Sequence, residues 1–322
     1  MSQLIAPFPW FGGKSRVAEQ VWKRFGNVSN YVEPFFGSGA VLLARPHYPH
    51  IETINDKDCF VSNFWRALKN DPKKLAKWAD DPVNEADLTA RHLWLVNQKE
   101  FQEYMKTDPH YYDVKIAGWW VWGLSSWIGS GWCEDLKPKN QRPHISSDMG
   151  VHRKRPHLSS HQGVQRQRPH LGNSGTGVHR TNGDHLQAYF EALSNRLRRV
   201  RVCCGDWKRV LGSSPTSNLG MTGIFLDPPY SKEAERDASL YAVDDLKVAH
   251  EVCDWAVKNG SNNQMRIALC GYDNEHAMPN NWERVRWSTT GGYGMQSNGN
   301  GRANSSREVI WFSPYCRKAT LL

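Results

Sequence analysis

The chain has 322 residues, enough for about two domains of ordinary size and a sizeable core. Its 41 Lys and Arg outnumber 32 Asp and Glu, and the net charge of +9 weighs against an acidic surface and favours an anionic partner such as nucleic acid. Seven cysteines without a CxxC pair fit neither a disulfide scaffold nor a zinc ribbon, so reduced thiols and a cytoplasmic setting are expected.

In chain order, the first fourteen residues carry no basic start followed by a long apolar stretch, so no secretion signal is expected there. Trp10-Phe11-Gly12-Gly13-Lys14 reads as a glycine turn ending in a lysine. Tyr31 to Phe35 is a strand-length apolar run that stops at Gly37-Ser38-Gly39, and a short helix over Ala40 to Ala44 follows. Ile51 to Ile54 reads as a second strand, closed by Asn55-Asp56. Glu85 to Met105 reads as one long helix and Tyr111 to Trp127 as another. The most apolar window, Ile116 to Trp132, is broken by glycines and serines and predicts no membrane span. Fifteen tryptophans, with the Trp119-Trp120-Val121-Trp122 cluster among them, predict a tryptophan-rich core. Later strands are expected at Val200 to Cys204, Ile224 to Leu226, Arg266 to Cys270 and Val309 to Phe312, with a helix over Val243 to Lys258. Strand and helix in alternation predict an α/β fold whose mostly parallel sheet is covered on both faces.

The segment 141–180 departs from this pattern. Three copies of a unit with a period of about 13 residues begin at Arg142-Pro143-His144, Arg155-Pro156-His157 and Arg168-Pro169-His170, and end at Arg153, Arg166 and Arg180. Seven Lys or Arg and one Asp place six of the nine net positive charges here, so the rest of the chain is nearly balanced. Each copy has too little apolar area to bury alone. Three roles stay open: a DNA-contacting arm that sets arginines on phosphates or bases, a linker, or a metal site from His157 and His161, which no cysteine pair accompanies and which the nearby prolines oppose.

Three motifs carry chemistry. Asp227-Pro228-Pro229-Tyr230 follows a strand directly, at the carboxyl end where parallel sheets meet their ligands. The two prolines fix the backbone and remove two donors, so carbonyl oxygens and one carboxylate form a rigid acceptor array beside a ring. That array suits a planar group bearing an NH2. Glu33-Pro34-Phe35-Phe36-Gly37-Ser38-Gly39 is a glycine turn after the first strand, where a ligand can approach the backbone. Asp56 lies 19 residues after Gly37 at the end of the next strand, placed to accept from ribose hydroxyls. The full GxGxxG of dinucleotide folds is absent, and Gly13-Lys14-Ser15 lacks the earlier glycine of a phosphate loop.

The order of these segments resembles the Dam-like class of S-adenosylmethionine-dependent DNA adenine-N6 methyltransferases. Trp10 to Lys14 matches that class's opening aromatic-x-G-G-K segment, Glu33 to Gly39 its glycine motif, Asn55-Asp56 its ribose-binding acid, Cys204-Gly205-Asp206 the segment whose acid contacts the cofactor's adenine, and Asp227 to Tyr230 its catalytic tetrad. Ser297-Asn298-Gly299 and Arg302 resemble a polar loop before the class's last strand.

The resemblance implies a Rossmann-like S-adenosylmethionine methyltransferase fold: a seven-stranded sheet, six strands parallel and one reversed. The catalytic body would be 1–65 and 185–322. Between them, 66–184 would be an inserted target-recognition region of helices over 85–127 and the basic repeat. It also implies S-adenosylmethionine as cofactor, bound by Trp10, Lys14, Glu33, Phe35, Gly37, Gly39, Asp56, Asp206 and Asp227. Double-stranded DNA would be the partner, met by Arg142, Arg153, Arg155, Arg166, Arg168, Arg180 and Arg302. Asp227, Pro228, Pro229 and Tyr230 would be catalytic, and no metal is expected. The class's central Asn-Gly segment is not matched: the comparable place reads Trp127-Ile128-Gly129-Ser130-Gly131-Trp132.

The chemistry agrees with this assignment. The adenine amino lone pair is delocalised into the ring and is a poor nucleophile. The Asp227 carboxylate and the Pro228 carbonyl would accept its two hydrogens and turn the lone pair toward the methyl, so that positioning and placed acceptors supply the acceleration. The base must leave the duplex to be reached, and Tyr230 would stack on it. The tetrad serves cytosine N4 as well as adenine N6, and an idle DNA-binding scaffold or an RNA or protein methyltransferase are the further alternatives.

Overall fold

The structure, a computed structural model, describes residues 4–8, 10, 13–48, 50–127, 132–133, 183–229, 247–273, 275–287 and 308–318, with backbone alone for 183–185. In chain order it forms α1 (Ala18–Phe25), β1 (Asn30–Glu33), α2 (Ala40–Leu43), β2 (Ile51–Asp56), α3 (Cys59–Asn70), α4 (Pro72–Ala79), α5 (Glu85–Val96), α6 (Lys99–Thr107), α7 (Val114–Ser126), α8 (Gly183–Leu197), β3 (Val200–Cys204), β4 (Thr222–Leu226), α9 (Val248–Asn259), β5 (Met265–Tyr272), β6 (Glu283–Arg286) and β7 (Glu308–Phe312). The strands make one seven-stranded sheet in the order β3-β2-β1-β4-β5-β7-β6. Pairings from β3 through β5 are parallel, while β7 runs antiparallel to both β5 and β6. Only β7 is reversed, as expected.

Every residue of β1, β4 and β7 is buried, as a sheet covered on both faces requires. Alternation along the strands feeds two cores. Tyr31, Phe225, Ala268, Ile310 and Phe312 face one, with α1, α3, α7 and α8; Val32, Ile224, Leu226, Ile267, Leu269, Val309 and Trp311 face the other, with α9. The first core holds the buried Trp22, Trp65, Trp120 and Trp122, so the tryptophan-rich interior expected from the sequence is present.

One expectation is corrected and one element is added. The stretch 85–105 is two helices, α5 and α6. Asn97 and Gln98 fold their side chains back onto the Leu93 and Trp94 carbonyls (2.7 and 2.9 Å), which satisfies the helix end and stops it. The strand β6 has no counterpart among the sequence-predicted elements: Glu-Arg-Val-Arg holds one apolar residue, because an edge strand needs charge rather than burial. The expected helix over 243–258 is seen from Val248, and its first residues lie outside those described.

Helix starts are explained locally. Asp58 caps α3 through Phe60 N–H at 2.7 Å, and Asp113 caps α7 through Ile116 N–H at 2.8 Å. Asp71 precedes Pro72 at the first position of α4, where the missing N–H costs nothing. Glu52 of β2 is buried and receives both Arg45 (3.0 Å) and Arg196 (2.6 and 2.8 Å), which ties the chain just after α2 and the end of α8 to the sheet. No described helix is long and apolar enough to cross a membrane.

Candidate active site at the carboxyl edge of the sheet

The carboxyl ends of β1, β2, β3 and β4 lie side by side, and each ends in a segment singled out from the sequence. Asn55 holds three of them in register: its amide donates to the Pro34 carbonyl (3.1 Å) and the Gly205 carbonyl (3.0 Å), and its own carbonyl accepts Phe36 N–H (3.0 Å). Ser62 adds a bond from α3 to the Asp56 and Cys203 carbonyls.

The β1 turn requires its glycines. Gly37 and Gly39 have φ of +47° and +73°, which L side chains rarely adopt. A Cβ on Gly37 would strike the Trp10 indole, and one on Gly39 would strike Phe36 and Trp65. Trp10 therefore packs directly on the glycine turn, and the Trp65 indole N–H locks the turn from beneath by donating to the Gly37 carbonyl (2.9 Å). Asp56 faces the same turn. Its Oδ2 accepts Gly37 N–H and its Oδ1 accepts Asp58 N–H, both at 3.0 Å. Each oxygen keeps a second lone pair, so the carboxylate can still accept from a ligand hydroxyl. Burial, then the neighbouring Asp58 carboxylate, push Asp56 up to about 7, against the pull of the backbone N–H donors. Burial likewise raises Asp58 to about 6.

At the end of β3, Asp206 opens a single 3-10 turn, accepting Lys208 N–H at 2.8 Å. It is exposed, and the next residue, Trp207, lies 6.2 Å from the Phe35 ring. Phe35 and Trp207 thus put aromatic surface between the glycine turn and Asp206. Glu33 is placed differently: it is 2 % exposed, its Oε2 accepts the Tyr31 hydroxyl at 2.8 Å, and burial lifts it well above the usual carboxylate range.

At the end of β4, Asp227 is about one-fifth exposed and its Oδ2 lies 3.0 Å from the Lys14 ammonium. Pro228 is buried and Pro229 partly buried. Gly13 N–H bonds the Trp10 carbonyl (3.1 Å), and that tight turn sends Trp10 to the β1 side and Lys14 to the β4 side. Among the described residues the structure brings together Trp10, Lys14, Phe35, Gly37, Gly39, Asp56, Asp206, Asp227, Pro228 and Pro229 along one edge. Tyr230, Arg302 and the arginines of the repeat (Arg142, Arg153, Arg155, Arg166, Arg168, Arg180) lie outside the described residues, as do His157 and His161.

Two residues that sequence reasoning did not single out join this edge. Trp287, just after β6, sits with its ring centroid 5.3 Å from the Lys14 ammonium. Its backbone N–H donates to the carbonyl of Glu308, the first residue of β7 (3.1 Å). Because β7 is reversed, its start lies beside Tyr272, at the carboxyl end of β5. The one available signal was an acid opening the apolar run Val309 to Phe312.

A seven-stranded sheet with one reversed strand, carrying a glycine turn, an acid after the second strand and an Asp-Pro-Pro segment along its carboxyl edge, defines a methyltransferase-type α/β fold. The profile of the D12 class N6 adenine-specific DNA methyltransferases matches residues 10–264, and the chain belongs to that family. A DNA N-6-adenine-methyltransferase of Escherichia phage P1 is 23% identical over 223 residues, which are 69% of this chain and 24% of the phage protein. The chain thus spans about a quarter of the length of that relative.

Proposed function

We propose that this chain transfers a methyl group from S-adenosylmethionine to the N6 amino group of adenine in duplex DNA. The observation that carries the proposal is the carboxyl edge itself: Asp227 and the Pro228 backbone stand across one edge from the Gly37 turn and Asp56, with Trp10 and Lys14 reaching from a single turn to both. Family membership supports the same reaction.

The residues present fit the methyl donor. A turn that tolerates no Cβ lets a ligand meet the backbone, Asp56 has lone pairs for ribose hydroxyls, Asp206 offers an exposed carboxylate for an exocyclic amine, and Phe35 and Trp207 offer aromatic faces. When bound, the donor supplies an electrophilic sulfonium methyl with a good leaving group. The protein's part is positioning. Asp227 and the Pro228 carbonyl accept the two hydrogens of the amine, localise its lone pair and stabilise the positive charge that develops on nitrogen. Tyr230 stacks on the base once it is flipped from the helix. Segment 66–184 is assigned to target recognition, and Arg142, Arg153, Arg155, Arg166, Arg168, Arg180 and Arg302 to contacts with DNA. Their charge supports this assignment.

The deciding experiment incubates the protein with duplex DNA and methyl-labelled donor, then digests to nucleosides. Label in N6-methyladenine is expected. Label confined to N4-methylcytosine would overturn the adenine assignment, and no label in any duplex, with the donor still bound, would favour an idle DNA-binding scaffold.

A further inference from the structure

Beside the donor-binding acids stands a pair of thiols that the proposed reaction leaves without a task. Cys59 and Cys204 are both free and buried, and their sulfurs lie 3.7 Å apart. Cys59 opens α3 and Cys204 ends β3, so the fold and not the local chain brings them together. Both adjoin the groups that hold Asp56. Cys59 follows Asp58, whose N–H donates to the Asp56 carboxylate at 3.0 Å. Cys204 is the register partner of Asp56 across β2 and β3, and the Gly205 N–H just after it donates to the Asp56 carbonyl at 3.0 Å. Asp206 comes next in the chain.

The surroundings favour reaction at Cys204. The hydrogen bond it shares with Cys59 pulls its thiol down, against burial, and Ser62 and the Arg66 guanidinium pull the same way. That shared bond, then burial, push Cys59 up, so Cys204 takes the thiolate role and Cys59 keeps its proton. β3 is an edge strand of the sheet, with Cys203 partly exposed and Asp206 exposed, so Cys204 lies within two residues of solvent on either side.

We propose that Cys59 and Cys204 are a redox site, which hydrogen peroxide closes to a disulfide that weakens the hold on the methyl donor. The Cys204 thiolate attacks one peroxide oxygen, the O–O bond breaks, and the departing hydroxide takes a proton and leaves as water. Cys204 is then a sulfenic acid. The Cys59 sulfur attacks the Cys204 sulfur, the S–O bond breaks, and the departing hydroxide takes the Cys59 proton as a second water. The two thiols together lose two electrons and the peroxide gains them. An S–S bond of about 2.0 Å brings the sulfurs about 1.7 Å closer than they stand. Close-packed neighbours resist such a shift, so it falls on the start of α3 and the end of β3, which carry the Asp58 and Gly205 N–H groups to Asp56. The effect on the donor rests on the function proposed above, but the oxidation does not.

Two measurements on the full chain test it. In the first, the protein is treated with a small excess of hydrogen peroxide, freed of it, alkylated and mapped by mass spectrometry. A linked Cys59–Cys204 peptide is expected. S-adenosylmethionine affinity by calorimetry should fall about tenfold or more, the size of one lost hydrogen bond to a charged group, and dithiothreitol should reverse both changes. Cys59→Ala should bind the donor within about twofold of native when reduced, and peroxide should then cost it less than about threefold. No linked peptide, a linked peptide with unchanged affinity, or a native-sized loss in Cys59→Ala would overturn the proposal. In the second, made without donor or DNA, amide hydrogen exchange is followed at Asp58 and Gly205. It should quicken about tenfold in the oxidised native protein and not in peroxide-treated Cys59→Ala. An unchanged rate in the native protein, or an equal change in the variant, would overturn the proposal. A reduced native protein that binds no donor would sink the donor-binding function and leave the linked peptide and this exchange to decide the thiol pair.

Discussion

The two sides of the carboxyl edge are held by different chemistry. On the β1–β3 side three acids are fixed by backbone: Asp56 accepts Gly37 and Asp58 N–H, Asp58 accepts Phe60 N–H, and Asp206 accepts Lys208 N–H. Those donors cannot move without unfolding a turn or a helix start. On the β4 side Asp227 meets a side chain, the Lys14 ammonium, which four rotatable bonds can redirect. A backbone-held acid suits binding, where one geometry serves throughout. A side-chain-held acid suits a reacting centre, where partners must change. The Trp10–Lys14 turn touches both sides, Trp10 at the Gly37 turn and Lys14 at Asp227.

The largest expected break between the sides comes from Asp227→Ala. Methyl transfer should fall by about a thousandfold or more, since a placed acceptor is lost where charge develops. DNA affinity should be retained and donor affinity should change by no more than about tenfold, because the backbone-held side is untouched. A gel-shift titration, calorimetry and a single-turnover assay on the same preparation check this. An equal loss in donor affinity and in transfer would mean that the two sides are not separable.

Removing 141–180 sharpens the comparison from outside. The repeat contributes none of the described residues of the edge, so donor binding should stay near native. DNA affinity should drop by roughly a hundredfold near physiological salt, and the log–log salt slope should flatten by up to about six, one step for each phosphate no longer neutralised. An unchanged slope would return the repeat to the role of a linker.

The sequence marked the two sides unequally. Gly37, Asp56 and Asp227 are legible because backbone-held sites are local: a glycine pair, an acid at a strand end and a proline pair each act within a few residues of themselves. The strands β4 and β7 are legible because burial on both faces leaves the apolar runs Ile224 to Leu226 and Val309 to Phe312. Trp287 is not, since it reaches Lys14 through the antiparallel pairing of β6 with β7 and of β7 with β5, which also sets Glu308 beside Tyr272. No local pattern announces a reversed strand, and β6 itself has an edge strand's charged sequence. The break between α5 and α6 was hidden for a related reason: Asn97 and Gln98 end a helix with their own side chains, inside a stretch whose periodicity continues past them.

Asp56→Asn tests the binding side alone. Asparagine keeps one acceptor oxygen, so one of the two bonds from Gly37 and Asp58 N–H is lost together with the charge. Donor affinity should weaken by about tenfold, while transfer from the saturated complex changes by less than about threefold. A loss confined to the transfer step would place Asp56 on the reacting side and erase the distinction.

The smallest effect is a pH dependence. Asp56 and Asp58 titrate near 7 and 6 in the folded chain, above the ordinary carboxylate value, because burial disfavours their charged forms. The folded state therefore holds protons that the unfolded chain releases near pH 4. The contribution of this pair is thus complete below about pH 4, declines as pH rises through 6 and 7, and is flat above. Glu33 and Glu308 are raised in the same sense, so the native curve alone does not isolate the pair. The difference between native protein and Asp56→Asn in urea unfolding from pH 5 to 8 does. It should narrow as pH rises, since the variant has no buried charge to form at this position. Donor binding should run the other way for the native protein, tightening as pH rises through about 7, because ribose hydroxyls donate to an ionised Asp56 better than to a protonated one. A donor affinity flat across that range in the native protein would take the hydroxyls away from Asp56 and leave it a purely structural acid.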